Sequence, residues 1–487
     1  MERKLRCGAG GSRARRPRPR RPHARALRPG AHRHGHLYHR RGHAGAWLRC
    51  GGSGHRGRGT SEDGGVTEPA RIPIEVEEPS PPRRISAFES LRFRDFRLLW
   101  SGLLLSNLGG WMQITAMGYL VVTLAPQAKL APLYLGLVGL SRAVPVILFS
   151  PLAGLAADRL PRRRVLMVTN VMMLVLSALL AAVTYAHRVN LGVVLAISAG
   201  LAGALSFDSP ARQSWVPILV PRPLVASAIG LNSVAFNLPS VIGPALAGPL
   251  IATVGVAGCF AANAVSFLAV VVAVALMTDA PPSSSREESA IESIRAGLRF
   301  LRGHRVLRWI IVYLIASALL ARPFFQLLPD YALHQLGTGV IGYTWVVTAN
   351  GVGGFLGALL AAFLGGIRRR GALWAWTGVG VGLGVAVLGL THSFALALAE
   401  LVAIGALTLV FINSSNVLIQ TLSPDEMRGR AISVYSMVLL GLVPAGALWL
   451  GALGSLVGVG WTFFAAGIAM ALFGAWTWFS KPQVRRI

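Results

Sequence analysis

The sequence predicts an all-α polytopic membrane protein, with twelve transmembrane helices in two six-helix, pseudo-symmetric halves. Three observations carry that prediction. Only 14% of the 487 residues are charged, where a soluble chain carries roughly a quarter, and mean hydropathy is +0.57. The apolar residues fall in runs of about 20, the length that crosses a bilayer as a helix. The segments between runs alternate between basic and nearly uncharged, as the positive-inside rule requires of a multiply spanning chain. A β-barrel would need short segments of alternating hydropathy, and none are visible.

The net charge of +28 resembles a nucleic-acid signal, but its distribution does not. Residues 1–65 hold 17 Lys and Arg against three acids, with seven of the eleven histidines. Such a stretch cannot bury enough apolar surface to offset its chain entropy, so residues 1–85 are expected to be a disordered basic extension. It is not a signal peptide, because no apolar core follows the basic start. A nucleic-acid or anionic-lipid arm and a His-rich metal tract are two readings of it. The leading reading is translation upstream of the true start, with Val66 as the candidate first residue, so no nucleic-acid partner is expected. Cys7, Cys50 and Cys259 form no metal or redox spacing, and the histidines form no zinc-site spacing. No Gly-x4-Gly-Lys-Ser/Thr phosphate loop occurs. The chain is therefore expected to be no enzyme, and to carry no cofactor and no metal.

Ser86 to Arg97 reads SAFESLRFRDFR, a short basic amphipathic segment whose Phe88, Leu91, Phe93 and Phe96 are expected to lie on the membrane. Six apolar runs follow at 97–124, 132–156, 164–186, 190–208, 224–252 and 255–277. Residues 278–305 form a linker that opens as APPSSSREES and continues with Ile291, Ile294, Leu298 and Leu301 at helical spacing, a basic helix for the inner membrane surface. Six more runs lie at 306–328, 338–364, 371–390, 393–420, 431–453 and 456–479, and a tail follows at 481–487. The domains are thus 86–277, 278–305 and 306–480. DRLPRRR, ARQSWVPILVPRP, the linker, IRRRG, SPDEMRGR and KPQVRRI are basic, while the opposite loops hold Lys129, His187-Arg188, His334, His392 and little else. Both termini are expected in the cytoplasm.

The stretch Gly154 to Arg164, GLAADRLPRRR, crowds four arginines and an aspartate between two apolar runs. Four arginines cannot be desolvated together, which excludes a buried-core reading. Gly154, Asp158, Arg159, Arg162 and Arg163 resemble the signature loop between the second and third helices of the major facilitator superfamily; Pro161 stands where that family usually has glycine. A shift of 203 residues places Pro221 on Pro424, Ser233 on Ser436, Gly243 on Gly446 and Gly248 on Gly451. Two related halves imply a pseudo-two-fold along the membrane normal and a central cavity. Further stretches, FRDFRLLWSGLLLSNLGGWMQ, SFDSPARQSWVPILVPRPLVASAIG and NSSNVLIQTLSPDEMRGRAISVYSM, look similar to the bacterial drug and siderophore efflux branch of that superfamily, which includes macrolide efflux pumps and the enterobactin exporter. The resemblance covers about 85–487.

The resemblance implies proton-coupled export of a small or amphipathic molecule by alternating access, by a monomer in the bacterial inner membrane. An importer of the same fold, or a polytopic scaffold or receptor, are the alternatives. Asp158 is the candidate gate, accepting hydrogen bonds near Gly429 to Ala431, where the helix dipole favours an anion. Arg159, Arg162 and Arg163 would tie the loop to the second half. Asp208 and Arg212, at the end of the fourth run, would join the same cluster, with Asp425, Arg428 and Arg430 as its second-half charges. The bland reading of these arginines is that they only set topology. Charges within the runs cost a few kcal/mol each and are candidates for cargo or proton: Arg142 in the second run, Arg322 and Asp330 flanking the outer end of the seventh, and Glu400 in the tenth. Asn107, Gln113, Asn237 and Asn350 near helix centres either line a cavity or serve as interhelical glue.

Overall fold

The computed structural model describes residues 88–278, 290–364 and 369–485, with the side chains at 150, 151, 154, 155, 157–159, 290–294 and 362 left aside. The extension 1–85, the polar start of the linker and the first two residues of IRRRG lie outside that description. All the described residues belong to one compact unit, Ser80–Ile487. The spanning helices, numbered in chain order, are α1 (Arg94–Leu124), α2 (Ala131–Arg159), α3 (Arg162–Tyr185), α4 (Leu191–Trp215), α5 (Val225–Asn237 continuing as Pro239–Val254) and α6 (Val256–Ala275). After a linker helix, Ala290–Gly303, come α7 (Leu307–Leu320, Phe324–Asp330 and a last π-helical turn to Gln335) and α8 (Val340–Phe363). The remaining four are α9 (Arg370–Leu390), α10 (Phe394–Leu422), α11 (Asp425–Met437, a π-helical turn, then Val443–Val457) and α12 (Val459–Ser480). Among the described residues eleven spans are long and apolar enough to cross a membrane. The twelfth, α1, has 31 residues; its mid-helix polar positions, Ser106, Asn107 and Gln113, lower its hydropathy without shortening it.

Local chemistry sets the ends. Asn190 caps α4 by accepting from the Val193 amide at 3.0 Å. Pro161 has φ −56° at the start of α3, a backbone that proline adopts without strain, so the turn there needs no glycine. Four expectations need correction. The fourth helix does not end at 208 but runs through Pro210 to Trp215; one missing amide costs a helix one bond, and packing on both sides sustains it. The seventh runs on to Gln335, so Arg322 lies mid-span, at the break before Pro323, rather than at the outer end. The eleventh begins at Asp425, where Asp425 and Glu426 suit the positive helix start. Phe96 does not lie on the membrane: it is 1% exposed and packs with Leu99, Trp215 and Leu224, and Ser90 donates to the Leu224 carbonyl at 3.2 Å. The segment before α1 thus closes the base of the first half, and only Phe88 points away from it.

Packing pairs repeat across the halves. α2 packs on α4 as α8 does on α10; α3 packs on α6 as α9 does on α12; and the halves meet where α2 packs on α11 and α5 on α8. The glycines matched by the 203-residue shift make matched contacts. A Cβ on Gly243 would fall 2.5 Å from the Trp111 Cβ on α1, and one on Gly446 would fall 2.5 Å from the Pro323 Cγ on α7. Gly248 sits against Thr344 of α8, and Gly451 against Pro132 of α2. Gly255 and Gly458, the same shift apart, have φ +83° and +87° and make the tight α5–α6 and α11–α12 turns that a side chain would strain. The interruptions in α5, at Leu238-Pro239, and in α11, at Val438–Leu442, also stand the same shift apart.

The seam between halves is tight at the end away from the basic loops. There the Tyr343 hydroxyl donates to the Thr115 carbonyl at 3.0 Å, Trp111 meets Phe325 edge-on at 5.9 Å, and a Cβ on Gly136 would fall 2.7 Å from the Ala447 carbonyl oxygen. Toward the basic end, Leu148 and Leu152 of α2 are exposed, Ile147 lies 3.6 Å from a Cβ built on Gly441 of α11, and among the described residues nothing comes within 4 Å of a Cβ on Gly429 at the start of α11.

Candidate functional site

A cavity of about 190 Å³ lies among α1, α2, α3, α4 and α6. Its polar centre is Asp208, 2% exposed. One carboxylate oxygen accepts from the Asn170 amide at 2.7 Å and the Thr169 hydroxyl at 3.2 Å; the other lies 3.3 Å from the Arg212 guanidinium. A buried carboxylate persists only with such donors, since an unpaired one costs several kcal/mol. Arg212 stands one helical turn after Asp208, which places both on one face of α4. It is 6% exposed, lies 5.0 Å from the centre of the Phe236 ring on α5, and its Nε has no partner among the described residues. A second polar layer lies above: the Asn263 side-chain amide donates to Gln113 Oε1 at 2.7 Å, and the Ser266 hydroxyl donates to Asn263 Oδ1 at 2.9 Å. Asn107 lines the cavity and donates to the Ala235 carbonyl at 2.9 Å, tying α1 to α5. Arg142 lines it from α2.

The structure thus brings Asn107, Gln113, Arg142, Asp208 and Arg212 to one cavity. Asp208 and Arg212 belong to this interior and not to the loop cluster, because α4 extends past both. Asn170, Thr169 and Asn263 complete the site, and sequence reasoning missed them; a polar amide in mid-run was the available signal. Elsewhere, Asn237 bonds within its own helix to the Ser233 carbonyl at 2.8 Å. The Asn350 backbone carbonyl backs onto Gly405, joining α8 to α10. Arg322 has the Tyr435 hydroxyl as its electrostatic neighbour.

At the end away from the basic loops a second cavity, about 530 Å³, is lined by Lys129, Asp330, His334 and His392 among others. Asp330 is 5% exposed and lies 2.6 Å from His334 Nδ1, whose side chain is 41% exposed. Glu400 accepts from the Thr391 hydroxyl at 2.9 Å. At the basic end, Gly154, Asp158 and Arg159 have side chains outside the described residues. Arg162 donates to the Ser214 hydroxyl at 3.0 Å and Arg163 to the Val274 and Ala275 carbonyls at 3.1 and 2.7 Å. These bonds hold α3 to α4 and α6 within the first half. Arg428 pairs with Asp425 at 2.7 Å in an exposed bridge, and Arg430 lies 3.8 Å from the Met427 sulfur. Among the described residues no group of three His, Cys, Asp or Glu is placed to hold a metal ion.

A family model for transmembrane secretion effectors matches residues 85–485. The chain belongs to the transmembrane secretion effector family. This secretion effector is 28% identical over 398 residues to the multidrug efflux pump Tap of Mycolicibacterium fortuitum, covering 79% of this chain and 95% of that one. It is 25% identical over 394 residues to the staphyloferrin A transporter of Staphylococcus aureus, covering 77% and 93%. In fold it resembles a bacterial homologue of the human lysosomal transporter Spinster, with a TM-score of 0.64 at 13% identity over 80% of this chain and 98% of that one. The effector is therefore a multi-pass membrane transporter of the major facilitator fold.

Proposed function

We propose that this transporter is a proton-driven exporter of a small or amphipathic molecule, working as a monomer in the bacterial inner membrane with both termini in the cytoplasm. The observation that carries the reading is the asymmetry of the seam. Glycine contacts and the Tyr343–Thr115 bond close the end away from the basic loops, while among the described residues nothing comes within 4 Å of a Cβ on Gly429 at the basic end. With basic loops in the cytoplasm, this is a state that loads cargo from inside, and alternating access supplies the other. The efflux and siderophore relatives support the outward direction. Asp158 and Arg159 act in this reading as the gate, with Arg162 and Arg163 bracing α3. Asp330 and Glu400 are the proton-carrying carboxylates. Asp330 is buried yet one hydrogen bond from His334 at the outer surface, a short path for a proton.

Cargo accumulation in cells that overexpress the protein tests this, with macrolides, dyes and siderophores offered with and without a protonophore. The expected result is lower accumulation in wild-type cells, erased by the protonophore and absent in the Asp158→Asn variant at equal expression. Higher accumulation in wild-type cells would turn the reading to import. Equal accumulation across the panel would leave a non-transporting scaffold.

A further inference from the structure

We propose that the cargo is an amphipathic organic anion, its carboxylate or sulfonate head held between Arg142 and Arg322 and its apolar body against Trp111, Met117, Met173 and Phe267. The inference rests on the reading above in one respect, that cargo occupies the cavity of the first half. The argument begins with unpaired charge. The cavity's one carboxylate, Asp208, already accepts three donors and offers a cationic guest nothing. Arg212 uses that carboxylate and still leaves Nε unpartnered in a buried position. Arg142 has neither an ion-pair nor a hydrogen-bond partner among the described residues, although it faces the cavity from mid-helix. Arg322 has the Tyr435 hydroxyl near it and no ion-pair partner among the described residues. Intramembrane arginines of this kind are costly and face partners or water-filled space, so the site carries positive charge that its own residues do not balance.

Depth supplies the second half of the argument. The Gln326 side chain of α7 lies directly against Gly139 of α2, and Phe325 meets Trp111. Arg142 is one turn from Gly139 toward the basic end, and Arg322 is one turn from Gln326 in the same direction. The backbones of Arg142 and Arg322 therefore stand near one level on adjoining helices from opposite halves, with Arg142 on the cavity wall and Arg322 beside it at the break in α7. A carboxylate or sulfonate suits guanidinium donors better than any neutral group does. It would also join the halves at the level where they separate toward the basic end.

A matched pair of probes tests this on purified protein in phosphatidylcholine nanodiscs. 8-Anilinonaphthalene-1-sulfonate carries the anionic head, and N-phenyl-1-naphthylamine is the same body without it. Saturable sulfonate binding is expected in wild type. Its Kd should rise about tenfold or more in R142Q/R322Q, while binding of the naphthylamine stays unchanged and serves as the folding control. R142K alone should retain most of the affinity. An unchanged sulfonate Kd in the double variant, no saturable sulfonate binding, or stronger displacement of the naphthylamine by tetraphenylphosphonium than by the sulfonate would each overturn the proposal. The measurement needs no gradient, so it stands apart from the accumulation assay: loss of export with sulfonate binding intact would fault the export reading alone.

Discussion

In the first half, the space between α3, α4 and α6 holds a carboxylate, a guanidinium and two layers of amides. In the matching space of the second half, Tyr313, Trp374, Phe411 and Phe473 pack ring on ring, with Tyr313 centred 5.1 Å from both Trp374 and Phe411. The 203-residue shift makes the replacement residue by residue. Asp208 falls on Phe411, Arg212 on Ser415 and Arg142 on Trp345. In each half a bond links the same pair of helices, though at other positions: the Trp374 indole of α9 donates to the Ser415 hydroxyl of α10 at 2.9 Å, and Asn170 of α3 donates to Asp208 of α4. The backbone plan tolerates both fillings because the helices are positioned by glycine contacts at their crossings and not by what lies between them. One half is then free to bind while the other serves as a rigid counterpart.

Four tests break or sharpen that contrast. Asp208→Ala strips the buried guanidinium of its partner and should cost about 3–5 kcal/mol in unfolding free energy; adding Arg212→Met should recover part of it in a double-mutant cycle. Strictly additive losses would mean that the pair is not a unit. Trp374→Ala should cost about 3–5 kcal/mol through the cavity it leaves, but leave the Kd for anilinonaphthalene sulfonate unchanged; a shift in that Kd would give the aromatic half a part in binding. Gly248→Val and Gly451→Val should each lower the melting temperature by similar amounts, about 1–3 kcal/mol of overpacking at equivalent crossings. A loss in only one would break the symmetry of the backbone plan. Tyr313→Phe should be near neutral, or stabilise by up to about 1 kcal/mol in thermal unfolding, because the buried hydroxyl has no partner among the described residues. Destabilisation would reveal a hydrogen bond to that oxygen.

Much of this plan was legible in the sequence, and the reasons are local. Charge alternates loop by loop, so the run count could be read directly. The repeat was written in glycines and prolines, and the structure gives those glycines equivalent crossings. Where reading failed, a tertiary contact outweighed a local signal. The fourth apolar run stops at 208, yet α4 continues through Pro210 to Trp215 and carries Asp208 and Arg212 inward. Phe96 looked like a membrane anchor and instead fills a gap beside Trp215. The partners of the polar centre were out of reach, because Asn170 meets Asp208 across 38 residues and Asn263 meets Gln113 across 150. No window of sequence joins positions so far apart. Arg142 could be singled out from cost alone, since an arginine in mid-run demands a reason.

The matched interruptions in α5 and α11 have a mechanical consequence on the transport reading. A helix bends most readily where its hydrogen-bond ladder is broken, so each of these helices has a knee at the same height. Above the knees, glycines clamp the segments to α8 and α2. Below them, Val225–Asn237 and Asp425–Met437 can swing inward while the clamped portions stay still. The lower door can therefore shut before the upper one unlatches. Under the proposed alternating access, the protein would then pass through a moment with both doors closed, as an airlock does, and move its cargo without opening a continuous leak for ions across the membrane.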